Sequence, residues 1–289
     1  MWFVVWLTDV GLVLEGGGMR AMYTAGVLEY FLEKGIEFPY VIGVSAGSAV
    51  AASYLSKQKG RNYKVNIHFV TDPRYLSLRN FFKKRQLFGM DFIFGEIPNK
   101  LVPFDYKTFW DNPAELAVGV TDCYTGEPVY FKKADYKPDL LTVLKASSTL
   151  PFIAPEVHFK GRVFMDGGIS DSIPIRKAQA DGYRKNVVIL TRNKGYRKKP
   201  SPLLGLLKRK YPEYTGLHKA MANRHKMYNE TLEYLEEEEK KGNVLIIRPA
   251  IPLEVGRIEK DQRKLNALYY QGYEDGKRYA AEIMAEVNV

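Results

Sequence analysis

An α/β fold, with a mostly parallel central sheet and helices on both faces in a three-layer α/β/α stack, is what this sequence predicts. Three observations carry that expectation. Short apolar runs rich in Val, Ile and Leu recur along the chain: 11–15 (GLVLE), 40–44 (YVIGV), 115–122 (ELAVGVTD), 162–168 (RVFMDGG), 186–191 (NVVILT) and 243–249 (NVLIIRP). Helical patterns separate them, and such alternation is the sequence form of a parallel sheet covered on both faces. Glycines punctuate several of the strand ends, where open α/β sheets place groups that face a ligand. With 289 residues the chain can bury a sizeable core, and its length admits one or two domains. No internal repeat and no low-complexity linker divides it. It is read as a single domain over 1–289, with a motif-bearing core at about 11–191 and a C-terminal strand and helices at about 215–289 completing it.

In chain order, the strand 11–15 ends in Gly16-Gly17-Gly18-Met19-Arg20. A helix follows, because Tyr23, Val27, Tyr30 and Phe31 recur at spacings of three and four up to Lys34-Gly35. Tyr40 to Val44 is a short apolar strand, and Ser48 to Leu55 (SAVAASYL) a helix of small and apolar residues. The segment 60–113 is irregular and aromatic-rich, a source either of acyl-pocket walls or of ordinary core filling. The last helix runs from about Asp261 to Ala285, with Leu265, Leu268, Tyr269 and Tyr273 on one face.

Three of these junctions carry chemistry. Gly43-Val44-Ser45-Ala46-Gly47 is a GxSxG turn from strand to helix, which strains Ser45 and sets its hydroxyl at the tip. The triple glycine turns several backbone N–H groups toward one point, and the positive end of a helix dipole adds to them. That equipment suits a negatively charged oxygen. As a dinucleotide fingerprint the loop lacks its third glycine, since Ala21 stands there, and as a phosphate loop it lacks a following Gly-Lys-Ser/Thr. Asp166, delivered by Arg162-Val163-Phe164-Met165 and followed by Gly167-Gly168, is a carboxylate at a strand end; taken alone, Asp-Gly-Gly also reads as a simple turn.

Together GGGMR, GVSAG and DGG, in this order and at these spacings, resemble the patatin-like phospholipases, in a bacterial branch. The segment Ala146-Ser147-Ser148-Thr149-Leu150-Pro151 and the apolar strand 186–191 are similar to that family too. The resemblance implies a serine–aspartate dyad: Ser45 as nucleophile, Asp166 as general base, and the backbone around Gly16, Gly17, Gly18 and Met19 as the oxyanion hole. One residue departs from the family, which usually carries glycine after the arginine where this chain has Ala21. If that position needs positive φ, the loop is strained.

A serine hydroxyl needs an adjacent base, worth about 10²–10⁴-fold. A carboxylate is a poor one at its ordinary pKa and improves when burial raises it. Sequence order also admits a Ser…Asp…His triad through His218 or His225, but both fall in a polar helical stretch (216–234) that suits solvated histidines. His68 precedes a strand-like fragment and His158 sits on a strand face. Arg20 either supports loop carbonyls or contacts a phosphate or carboxylate of the substrate.

The net charge of +10 and pI near 9.3 attract anionic surfaces. No zinc-finger spacing or RNA-binding signature accompanies the charge, so lipid headgroups are expected as partners and nucleic acid is not. Cations concentrate at Lys194, Arg197, Lys198, Lys199, Lys208, Arg209 and Lys210, flanking the apolar 202–207 (PLLGLL), as a solvated loop or a flap that touches membrane or gates the site. The single cysteine, Cys123, rules out an internal disulfide framework and fits a reducing compartment. Scattered histidines suggest no metal, and no cofactor is expected. The apolar 1–7 (MWFVVWL) is too short to span a membrane and lacks the marks of a signal peptide. It is an edge strand, an interfacial anchor, or sequence without a role, and the expected location is cytoplasmic with possible membrane contact. The function expected is a serine acyl hydrolase on lipid-like carboxylic esters. An acyltransferase or thioesterase using the same acyl-enzyme, or a non-catalytic lipid- or nucleotide-binding protein, are the alternatives.

Overall fold

The computed structural model describes residues 5–287. Ten strands form it: β1 (Val5–Trp6), β2 (Val10–Leu14), β3 (Ile36–Glu37), β4 (Tyr40–Val44), β5 (Glu115–Asp122), β6 (Pro128–Phe131), β7 (Val157–Phe159), β8 (Arg162–Asp166), β9 (Lys185–Ile189) and β10 (Val244–Ile247). Eight belong to one sheet, in the order β10-β9-β2-β4-β5-β8-β7, with β6 on β5. β10, β9, β2, β4 and β5 are mutually parallel. β6, β7 and β8 run antiparallel to their neighbours, an ending the apolar runs alone do not reveal. β1 pairs with β3 in a separate parallel ribbon, while residues 1–4 of the apolar N-terminal stretch lie outside the described residues.

Strand residues alternate between two cores, as a pleat with period two requires. Leu12, Leu14, Val41, Val187 and Ile189 face the helices α1 (Met22–Lys34), α2 (Ala46–Leu55), α3 (Leu140–Ser147) and, near the C-terminus, Gln262–Val287. Val13, Tyr40, Ile42 and Val188 face the opposite layer, with α4 (Ile175–Ala180) and α6 (Thr215–Lys240), while α5 (Leu204–Lys210) packs through Leu207 into a third cluster with Val163 and Met165 of β8. Tyr228, Leu232 and Leu235 of α6 fill that second core. These are the three layers expected, and the C-terminal helix, α7 (Gln262–Val287), packs along α1 so tightly that a Cβ on Gly272 would lie 2.0 Å from the Tyr23 carbonyl oxygen. The segment read as irregular holds short helical pieces, Leu78–Lys84 and Tyr106–Asp111 among them, and a widened helical stretch, Phe92–Leu101, that encloses Pro98. Pieces this short, with a proline inside one, show no helical period in the sequence.

Candidate functional site

The site is made where two strands meet end to end. β4 lies along Glu115–Gly119 of β5, and β8, running the other way, continues on the same edge along Val120–Asp122. Val44 pairs with Gly119 and Asp166 with Val120, so the C-terminal ends of β4 and β8 face each other one residue apart on β5. Ser45 and Asp166, distant in the chain, are thereby brought together by register.

The backbone at Ser45 has φ 55° and ψ −134°, a left-handed-side conformation that costs a non-glycine residue about 1–3 kcal/mol. It turns the chain from β4 straight into α2. Gly47 permits the tightness: a Cβ there would stand 2.8 Å from the Glu15 carbonyl oxygen at the end of β2. The turn is held by its neighbours. Ser147 at the end of α3 accepts the Ser45 N–H at 2.7 Å and donates to the Gly119 carbonyl at 2.6 Å. Ser48 donates to the Ser45 carbonyl at 2.7 Å.

Ser45 Oγ donates to Asp166 Oδ2 at 2.7 Å, and both residues are buried. The other carboxylate oxygen accepts the Gly168 N–H at 2.8 Å, while the Asp166 N–H donates to the Thr149 carbonyl at 2.8 Å. Burial raises the Asp166 carboxyl above the ordinary aspartate value; the Arg224 guanidinium, the Ser45 and Gly168 hydrogen bonds and Arg257 oppose it. Arg224, on α6, donates from Nε to the Gly168 carbonyl at 2.6 Å and so clamps the turn after Asp166. His218 contacts the Tyr211 carbonyl, and neither it nor His225 hydrogen-bonds to Ser45 or Asp166. His68 and His158 are exposed.

The glycine loop borders the same space. The Gly16 N–H donates to the Ser172 carbonyl and that of Met19 to the Arg257 carbonyl. The N–H groups of Gly17, Gly18 and Ala46 donate to no protein acceptor among the described residues, and all three residues line the cavity with Ser45 and Asp166. Ala21 has φ −64°, ordinary helical geometry, so its methyl group causes no strain. Arg20 is 3% exposed, and its guanidinium makes no hydrogen bond to the loop carbonyls among the described residues.

The cavity holds about 120 Å³. Tyr75, Phe88, Met90, Ile93 and Phe94, all from the 60–113 segment, form its apolar wall, with Leu150 and Ile153 opposite. It shares Met19, Ala49, Ile93 and Phe94 with a second apolar space of about 80 Å³ that reaches Val50, Phe104 and Leu144. Such walls have the apolar character of a hydrocarbon pocket, and Ser45, Asp166, Gly17, Gly18 and Ala46 line the same space. Among the described residues no group of His, Cys, Asp and Glu is disposed to hold a metal, and no helix is long and apolar enough to cross a membrane. Arg224 and Arg257 were not singled out from sequence. Ser147 entered only within the 146–151 segment that resembles the family, and the Ala46 amide only as that of the residue following the serine of a GxSxG turn.

Residues 214–288 match a family described as a domain of unknown function (DUF6363). "Uncharacterized protein YjjU" of Escherichia coli (strain K12) is 28% identical over 195 residues, covering 63% of this chain and 52% of that protein. "Lysophospholipase NTE1" of Cryptococcus neoformans is 26% identical over 189 residues, 63% of this chain and 11% of that protein. "Probable lipid hydrolase 463L" of Invertebrate iridescent virus 6 is 23% identical over 195 residues, 61% of this chain and 65% of its own length. The match therefore spans about half of the first relative and about a tenth of the second. Residues 12–178, more than half of the chain and inclusive of Gly16–Arg20, Ser45 and Asp166, match the family described as patatin-like phospholipase, and the chain belongs to that family.

Proposed function

We propose that the protein is a lipid acyl hydrolase that cleaves carboxylic esters through an acyl-enzyme on Ser45. The observation that carries the reading is the 2.7 Å hydrogen bond from Ser45 Oγ to the buried Asp166 carboxylate, both residues lining an apolar cavity. Asp166 takes the hydroxyl proton as Ser45 Oγ attacks the ester carbonyl. The tetrahedral oxyanion is received by the unengaged N–H groups of Gly17, Gly18 and Ala46; losing one such donor costs about 2.7–4 kcal/mol of barrier. The leaving alcohol takes the proton from Asp166, and water repeats the sequence to release the fatty acid. Membership of the patatin-like phospholipases and relatives bearing the names lysophospholipase and lipid hydrolase support a lipid ester as substrate. Contact with an anionic membrane surface fits this role, with the exposed Leu203 and Leu206 beside the cations of α5 as the touching face.

A substitution series on a soluble short-chain ester tests the reading. Ser45→Ala is expected to abolish turnover and labelling by a fluorophosphonate while the protein still folds. Asp166→Asn is expected to lose about 10²–10⁴-fold. His218→Ala and His225→Ala should keep most of the activity. Near-normal turnover by Ser45→Ala, or a histidine variant as inactive as Asp166→Asn, would sink the dyad.

A further inference from the structure

Beside the apolar cavity lies a second space of a different character. About 570 Å³ in volume, it is lined by seven cations, Arg20, Arg192, Arg197, Lys198, Lys199, Arg224 and Arg257, together with His225 and Tyr196 among others. Arg224 and Arg257 also line the cavity that holds Ser45 and Asp166, so the two spaces adjoin. The cations come from separate parts of the chain: the glycine loop, the end of β9, the following basic segment, α6, and the approach to α7.

These cations are short of counter-charge. Of the seven, Arg197 alone is in an ion pair with a carboxylate among the described residues, with Glu233 at 4.0 Å. Two further carboxylates act on the cluster, Glu15 on Arg20 and Asp166 on Arg224, fewer than the cations they face; the Glu15 oxygens are taken by the Thr191 N–H at 2.6 Å, the Thr191 hydroxyl at 3.1 Å and the Tyr228 hydroxyl at 2.8 Å. Buried nitrogens around the pocket also lack partners, namely Arg20 Nε, Arg192 Nε and His225 Nδ1. Arg20 is 3% exposed, so this is an unmatched donor inside the protein and not a solvated side chain. Leaving such a donor unsatisfied inside the protein is costly, and a bound anion would relieve the cost. The groups also repel one another: after burial, Arg224 and Arg257 are the main causes that hold the Lys198 ammonium below its ordinary range. Lys198 rests 4.0 Å from the centre of the Tyr228 ring, which fixes it at the pocket wall.

We propose that this basic pocket binds a phosphomonoester dianion, and that the dianion is the headgroup of an acylated glycerol phosphate whose ester reaches Ser45 through the shared Arg224–Arg257 wall. A phosphomonoester carries about −1.5 to −2 charges at neutral pH, and its oxygens match the two-pronged donors of guanidinium groups. A zwitterionic headgroup would bring a cationic ammonium in among seven cations, and a neutral headgroup would leave their donors unmatched; both are selected against. The identity of the acylated molecule rests on the hydrolase reading above, whereas phosphate binding does not.

The test titrates the full-length Ser45→Ala protein with inorganic phosphate and with glycerol 3-phosphate by calorimetry. Saturable one-site binding is expected, weakened about tenfold or more by adding Arg192→Gln and Lys198→Gln, with thermal melting to verify that each variant folds. Should the double substitution unfold the chain, Lys198→Gln alone and Arg192→Lys serve the same comparison. No saturable binding, or equal binding by the variants, overturns the site. With Ser45 intact, a monoacylglycerol 3-phosphate is expected to show a lower KM than the corresponding phosphocholine ester, and the pocket variants should erase that difference by raising KM more than they lower kcat. If phosphate binds and the variants weaken it, but the KM difference is unmoved, the headgroup assignment falls and free phosphate is the ligand. If phosphate binding responds as expected while no ester is turned over, the hydrolase reading fails and the anion site stands.

Discussion

Asp166 is the residue on which chemistry and stability pull apart. Its carboxyl is raised above the ordinary aspartate value because burial outweighs Arg224, the hydrogen bonds and Arg257. Activity that needs the ionised carboxylate should therefore rise with pH along an acid limb lying above 3.8, the unperturbed value. Arg224→Gln removes the largest opposing influence, so the limb of kcat/KM for an uncharged ester should move to higher pH; an unmoved limb would mean that Arg224 acts only through the Gly168 carbonyl. Stability follows from the same shift. A folded-state pKa above the unfolded one contributes stability that is fully present below the unfolded value and is lost as pH rises through the folded value. At neutral pH the buried carboxylate is thus a cost, and Asp166→Asn is expected to raise Tm by a few degrees even as it removes the proposed base. A fall in Tm would show that the carboxylate is better compensated than its surroundings indicate. Ser45, with its φ of 55°, is the second residue held against its own preference. Both sit where function, and not folding, accounts for the cost.

Among the elements, α5 is the one whose role the hydrolase reading extends to a surface. Leu207 is fully buried and anchors it, while Leu203 and Leu206 are 50% and 52% exposed beside Lys208 and Arg209. Each cation near an anionic membrane contributes about 1 kcal/mol. Neutralising Lys199, Lys208 and Arg209 is therefore expected to weaken binding to phosphatidylserine-containing vesicles at low salt, by up to about 3 kcal/mol, with the difference fading as salt is added. Hydrolysis of a soluble ester should change little, because none of the three lines the cavity around Ser45. Equal vesicle binding by wild type and variant would leave α5 a solvated helix. The strands β4, β5 and β8 were legible because apolar runs bounded by glycine or turns specify them locally. The end-to-end meeting of β4 and β8 was not, since register and strand direction are set between elements. Arg224 and Arg257 were illegible for the same reason: arginines in polar segments have no local pattern, and only the fold brings them near Asp166. Ser147 stood in a segment that resembles the family, but its hold on the Ser45 turn is set by the fold.

Across the whole molecule, the parallel half of the sheet delivers the glycine loop and Ser45, and the antiparallel half delivers Asp166 to the same edge of β5. The segment 60–113 adds the apolar wall, and the C-terminal third adds Arg224 and Arg257. What the account claims above all is that these parts converge on acyl transfer to one serine hydroxyl. Trapping the intermediate tests that claim most directly: quench the protein with acid during turnover of a slowly deacylating ester, then locate the acyl group by peptide mass spectrometry. The account predicts an acyl adduct on Ser45 in the wild type, absent in Ser45→Ala and formed about 10²–10⁴-fold more slowly in Asp166→Asn. An adduct on another residue, or turnover by Ser45→Ala at the wild-type rate, would contradict it.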